Sequence, residues 1–208
     1  QTRLLRAVKN RFGTIHELGF FDMTAQGLVE VVNINQQFMS QMTNSPGSAL
    51  TCTLEGSRPL LLEIQSLSIA SKLSMPQRVI SGIDHKQVVL ITAILEKYVH
   101  TKFSMQDIFV KISNGLKIKG SSSDLGVALS LLSTYFQQPL PQKTIALGEI
   151  SLTGHIKPIN QASLLIREAE KFGIEQVIVS KQQPLEIDSI RIVRLSHIYE
   201  LLTFFSDK

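Results

Sequence analysis

The sequence predicts an α/β layer protein that follows a β-rich opening segment, and three observations lead there. Before residue 68 the apolar residues fall in short runs separated by turn residues, the pattern of strands. From residue 84 onward, stretches with apolar residues three and four apart alternate with short apolar runs, and helices alternating with strands build α/β layers. The 208 residues are 43% hydrophobic and 18% charged, an ordinary globular balance that excludes a disordered or fibrous chain.

Taken in order, residues 4–11 and 18–23 are expected as strands joined through Phe12-Gly13-Thr14-Ile15-His16, and residues 28–32 as a third. Residues 49–54 and 60–67 should form a hairpin around Glu55-Gly56-Ser57-Arg58-Pro59. Turn chemistry at Pro46-Gly47 and Glu55-Gly56 places an expected domain boundary there, dividing residues 1–50 from residues 51–208. Val88, Ile91, Leu95 and Tyr98 put one apolar face on a helix over residues 84–100, with Asp84 as its cap. Residues 108–112 alternate as a strand. Leu125, Leu129, Leu132 and Phe136 define a second helix, stopped by Pro139-Leu140-Pro141, which a helix interior does not accept. Residues 145–152 and 155–158 are expected as a hairpin through Thr153-Gly154. Ala162, Leu165, Ala169 and Phe172 define a third helix ended by Gly173, followed by an apolar strand at residues 176–180. A last strand at residues 190–193 leads to a terminal helix at residues 196–205, capped by Ser196.

Several function classes drop out. The sequence has no run of 18 uncharged apolar residues and no basic-then-apolar leader, so a soluble, cytoplasmic protein is expected. Cys52 is the single cysteine, which rules out an internal disulfide and a cysteine-based zinc site. His16, His85, His100, His155 and His197 show no metal-ligand spacing, so no metal is expected. With no Trp and three Tyr, an aromatic stacking platform for single-stranded nucleic acid is not expected. No G-x-x-x-x-G-K-[ST] phosphate loop occurs, so this chain alone should not hydrolyse ATP. The formal charge of +4 permits an anionic partner, and its distribution is uneven. Arg3, Arg6, Lys9 and Arg11 all precede the first acid, Glu17, and Lys111, Lys117 and Lys119 cluster around Asn114-Gly115.

Leu4-Leu5-Arg6-Ala7-Val8-Lys9-Asn10-Arg11-Phe12-Gly13 resembles the KNRFG signature of the bacterial RadA (Sms) family, and Glu17-Leu18-Gly19 with Phe21-Asp22-Met23 resembles the residues trailing that signature. Pro46-Gly47-Ser48, the stretch Glu55-Gly56-Ser57-Arg58-Pro59-Leu60-Leu61-Leu62-Glu63-Ile64-Gln65 and Leu95-Glu96-Lys97 continue the resemblance in order, over essentially the whole chain. It implies the C-terminal part of a longer protein: the β-rich tail of a RecA-like core, then a two-layer α/β domain similar to the C-terminal domain of Lon protease. It further implies a parent that is a DNA-dependent ATPase and helicase driving branch migration in recombinational DNA repair. That parent would use ATP and Mg, carry Zn in a segment before Gln1, form a hexameric ring, and meet a recombinase on duplex or branched DNA.

The resemblance also assigns residues. Lys9 and Arg11, two apart on an expected strand and so on one face, would address a nucleotide phosphate of the neighbouring subunit or DNA. Lys111, Lys117, Lys119 and Lys157 are the expected duplex contacts of the Lon-like platform. Laying Gly148-Glu149-Ile150-Ser151-Leu152-Thr153-Gly154-His155-Ile156-Lys157-Pro158-Ile159 on the Lon pattern puts Ser163 where the lysine base belongs. Ser121-Ser122-Ser123-Asp124-Leu125-Gly126-Val127-Ala128 puts Asp124 where the serine nucleophile belongs, and a shift of one residue would put Ser123 there. A carboxylate facing a hydroxyl is not an activated Ser-Lys pair, so peptidase activity is not expected. As a plain structural element, Asp124 would serve as a carboxylate at the start of the second helix. The competing readings are an active Lon-like peptidase, a ring scaffold with no DNA role, and the Lon-like domain of magnesium-chelatase-type ATPases, which would not explain Lys9-Asn10-Arg11-Phe12-Gly13.

Overall fold

The computed structural model describes residues 2–6, 9, 11, 18–31, 33–40 and 42–205. The opening segment is a three-stranded antiparallel sheet in the order β1 (Thr2–Arg6), β2 (Leu18–Thr24), β3 (Gly27–Glu30). A short helix, α1 (Ile34–Ser40), comes next, and its Ile34 and Phe38, one turn apart, are buried in the same core cluster as Phe20. Asn35, 2% exposed, ties α1 down: its Oδ1 accepts the Leu61 N–H at 2.9 Å, and its amide donates to Pro59 O and Glu168 Oε1, each at 3.1 Å.

The rest is a seven-stranded mixed sheet with helices on it. Its strands are β4 (Ser48–Glu55), β5 (Arg58–Ala70), β6 (Arg78–Ser81), β7 (Gln106–Ile112), β8 (Thr144–Leu147), β11 (Gln176–Ser180) and β12 (Arg191–Leu195). They run in the spatial order β12-β11-β8-β4-β5-β7-β6. The β4–β5 hairpin is antiparallel, as its turn residues dictate, whereas β8, β11 and β12 are parallel and so need helical crossovers. β8 joins β4 through one registered pair, Leu50 with Ile145, reinforced by Thr51 Oγ1 donating to Ala146 O at 3.0 Å.

α2 (His85–Val99) and α3 (Asp124–Phe136) form the helical layer on one face. Asp84 caps α2 through Lys86 N at 2.7 Å, as expected. In β8 and β11 every residue but one is buried, and their alternate side chains point to opposite faces. Ala146 and Ile178 face α3, while Ile145, Leu147, Val177 and Val179 join Leu165, Ile166 and Ala169 of α4 (Ala162–Lys171) in a second cluster. The two expected layers are thus joined by α4 on the reverse face.

The structure departs from the sequence reading in four places. The strand expected at residues 145–152 breaks at Gly148: β8 stays in the central sheet, and β9 (Glu149–Ile150) pairs with β10 (Ile156–Lys157). The break comes from the approach to α3, since Gly148 N donates to Ser122 O at 3.0 Å and Leu125 N to Gly148 O at 3.1 Å. The final helix is a 3-10 segment, Ile198–Phe204, capped by His197 rather than Ser196; Glu200 Oε1 accepts the N–H groups of both Ser196 and His197. The first strand ends at Arg6, which pairs with Leu18, so Lys9 and Arg11 lie beyond it and strand alternation does not align them. Finally, α1 and β6 are elements that the sequence pattern does not predict.

Candidate functional site

The loop from β7 to α3 carries most of the chemistry-bearing residues. It turns at Gly115 (φ 68°) and Gly120 (φ 78°), both left-handed conformations that favour glycine. It ends at Ser123 and Asp124, where α3 begins between the β9–β10 hairpin and the start of α2.

Asp124 is 5% exposed. Its carboxylate does not turn to the first amides of its own helix. It accepts from Gln87 Nε2 of α2 and, at 3.1 Å, from Ile150 N of β9. Gln87 Nε2 also donates to Gly120 O at 3.1 Å, so one amide fastens both the loop and the carboxylate. Burial pushes the Asp124 carboxyl up to about 6, against the two hydrogen bonds, which favour the charged form; neighbouring Glu149 adds a smaller push upward. Asp124 thus joins α2, α3 and β9, beside a cavity of about 380 Å³ that Gln87, Ile94, Glu149 and Leu152 help to line.

The other residues aligned with a peptidase dyad are no better placed for catalysis. Ser123, the nucleophile in the shifted register, is 0% exposed and accepts from Thr51 Oγ1 at 3.4 Å. Ser121 Oγ donates to Glu149 Oε2 at 2.8 Å. Ser163 is the second residue of α4, half-buried, and is a hydroxyl with no capacity to act as the amine base. Ser121, Ser122, Asn160 and Gln161 do share a polar cavity of about 350 Å³, so the approaches to α3 and α4 meet there. The cleft exists and the activated pair does not.

The basic residues divide. Lys117 and Lys119 are exposed and line one cavity with Gly115, and Lys111, exposed on β7, lines the adjoining one with the same glycine. Lys157 lies on β10, 4.0 Å from Glu149 across the hairpin. Lys9 and Arg11 are exposed, while Asn10, Phe12 and Gly13 of the motif lie outside the described residues. Among the described residues no group of three or more His, Cys, Asp or Glu could hold a metal ion, and no helix is long and apolar enough to cross a membrane.

Comparison with known proteins places this architecture. A family model described as subunit ChlI of Mg-chelatase matches residues 74–183, more than half of the chain. The DNA repair protein RadA of Aquifex aeolicus is 36% identical over 200 residues, 96% of this chain and 45% of that protein. RadA of Pseudomonas aeruginosa is 36% identical over 206 residues, 96% of this chain and 46% of its own length. RadA of Bacillus subtilis is 37% identical over 178 residues, 85% of this chain and 39% of its own. The chain belongs to the RadA family. It spans about half the length of the RadA relatives it matches, and its residues 74–183 are the ChlI-type part. Within this RadA-family chain, sequence reasoning found Asp124 but not its partners. Gln87 lies 37 positions away and Ile150 lies 26, and nothing local in either residue signals the contact.

Proposed function

We propose that this chain is the C-terminal part of a RecA-like, DNA-dependent ATPase of the RadA type, a cytoplasmic enzyme driving branch migration in recombinational DNA repair. Its α/β unit is a Lon protease-like domain that builds a hexameric ring and holds duplex DNA, without peptidase activity. The observation that carries the loss of peptidase activity is Asp124, buried and hydrogen-bonded where the peptidase pattern needs a free hydroxyl, with Ser163 where it needs a lysine. The repair role is supported by the names of the relatives, each a DNA repair protein. Lys111, Lys117 and Lys119 supply the duplex contacts as point charges on phosphates, with Lys157 weakened for that role by Glu149. Lys9 and Arg11 act on phosphate, of nucleotide or of DNA. The parent's ATP and magnesium find no phosphate loop in this chain, and its zinc finds no cysteine set, so residues elsewhere in the parent hold them. A recombinase on the same DNA is the expected protein partner.

Sedimentation velocity of the chain with and without a labelled duplex, at low and moderate salt, tests the platform. A ring-sized species that carries the duplex and releases it as salt rises is expected; a ring that ignores DNA leaves a scaffold only. The scaffold reading is favoured by the Lys157–Glu149 pairing, and charge reversal at Lys111, Lys117 and Lys119 with unchanged duplex binding would establish it. Lys9→Ala or Arg11→Ala in the full-length parent should abolish ATP-driven strand movement while the protein still folds.

A further inference from the structure

A cavity of about 400 Å³ lies away from the Asp124 cleft, beneath α1 on the reverse face of the sheet. Phe38, Met39 and Met42 roof it, and Leu50, Leu61 and Glu63 form its floor. A volume of this size is in the range of small-molecule sites, which combine apolar walls with a few convergent polar groups.

Glu63 makes this cavity chemically specific. It projects from β5 opposite Leu50 and is 6% exposed. Ser48 Oγ donates to its Oε1, and Gln65 Nε2 at 2.9 Å and Ser113 Oγ at 3.0 Å donate to its Oε2. A carboxylate offers about four acceptor positions. Three are taken here, and the one left is on Oε1. Among the described residues Glu63 has these neutral donors around it and no ion-pair partner. A buried carboxylate in that state favours a bound positive group that brings one more donor. Lys111 lies at the exposed rim of the same cavity, on the strand position paired with Gln65. It disfavours a ligand with a second cation and favours one with an anionic far end.

We propose that this cavity binds a small zwitterion: a primary ammonium on Glu63 Oε1, an aliphatic stem between the Met39 and Met42 thioethers and Leu50 and Leu61, and a carboxylate or phosphate at Lys111. The three parts of the site match the three parts of such a ligand in order from floor to rim. The thioethers adapt to the stem, since Met side chains are unbranched and polarizable. The site shares only Lys111 with the DNA-platform reading, and its test needs no nucleic acid.

The test is a titration of the whole 208-residue chain, labelled with ¹³C at the methionine methyl groups, against δ-aminovalerate, pentylamine, cadaverine and valerate. Saturable shifts of the Met39 and Met42 methyl signals are expected with δ-aminovalerate, weaker binding with pentylamine and cadaverine, and none with valerate. Glu63→Gln should weaken δ-aminovalerate binding by about tenfold or more, the worth of one hydrogen bond to a charged group. Lys111→Glu, on the exposed rim, should erase the preference for δ-aminovalerate over pentylamine, and it serves as the readout if Glu63→Gln does not fold. Absence of saturable shifts, binding of valerate as tight as that of δ-aminovalerate, or equal binding by a folded Glu63→Gln protein would overturn the proposal, as would an unchanged preference in Lys111→Glu.

Discussion

Replacing Asp124 by Asn removes a proton-binding group from the interior while keeping its shape. Folding raises the affinity of this carboxyl for its proton, moving it from its ordinary 3.8 to about 6, chiefly because burial penalises the charged form. The sign is set by linkage: between those two values the folded protein holds a proton that the unfolded chain has released. The contribution to stability is therefore full below about pH 4 and is lost as the pH rises through about 6. At about 1.4 kcal/mol per pKa unit the loss is about 3 kcal/mol at most. For a chain of this size that is a change in Tm of about 6–12 °C. The assay is thermal or urea unfolding of the wild type and Asp124→Asn at a series of pH values from 4 to 8. Taking the difference between the two proteins at each pH cancels the other titrating groups. The amide leaves one of the two donors, Gln87 or Ile150, without its acceptor unless the Gln87 amide turns over, and that cost is constant with pH. The expected result is that Asp124→Asn gains on the wild type by about 3 kcal/mol at most between pH 4 and pH 7. A difference that stays flat across that window would refute the argument that burial holds the proton on Asp124.

Gly47→Ala should destabilise the fold by more than about 3 kcal/mol in urea unfolding, because the backbone there is left-handed at φ 88° and a Cβ would stand 2.1 Å from Ser66 O. Asn35→Ala should cost about 2–4 kcal/mol by the same measurement, since it strips the acceptor from a buried Leu61 N–H and releases α1 from β5 and α4. Burial pushes the Cys52 thiol up, with Glu168 adding to the effect, so a thiol-specific reagent should label this chain only at the rate of unfolding. Rapid labelling under native conditions would contradict that burial. Incubation with a casein-type substrate should give no cleavage, and hydrolysis that disappears in Asp124→Ala would revive the peptidase reading.

How much of the fold the sequence shows depends on how local the cause is. α2 and α3 are legible because Val88, Ile91 and Leu95, and then Leu125, Leu129 and Leu132, carry helical spacing over more than two turns. α1 is not, because seven residues with three apolar positions are too short a window, and what holds it is Asn35 reaching Leu61 and Glu168. The break at Gly148 is hidden for a similar reason: Ile145-Ala146-Leu147 and then Ile150 and Leu152 read as one strand until Ser122, on another element, takes the Gly148 amide. At the candidate site, Asp124 and Ser163 come from the pattern of a resembling family. The burial that raises the carboxyl's proton affinity comes only from the packing of α2 and β9 around it.

Between Leu50 and Ile145 the backbone ladder of the large sheet narrows to a single registered pair. On one side, β12, β11 and β8 form a parallel ladder, and on the other β4, β5, β7 and β6 form theirs. Side chains still bind the two parts: the Thr51 hydroxyl donates to Ala146 O, α3 meets residues of both on one face, and on the other Leu50, Cys52 and Leu61 share a buried cluster with Ile145, Leu147 and Val177. With the backbone ladders almost separate, amide protons of each part should exchange at a rate of their own, the slower set by the long β4–β5 ladder. A force applied to α3 would load both ladders at once, since its buried side chains meet residues of each.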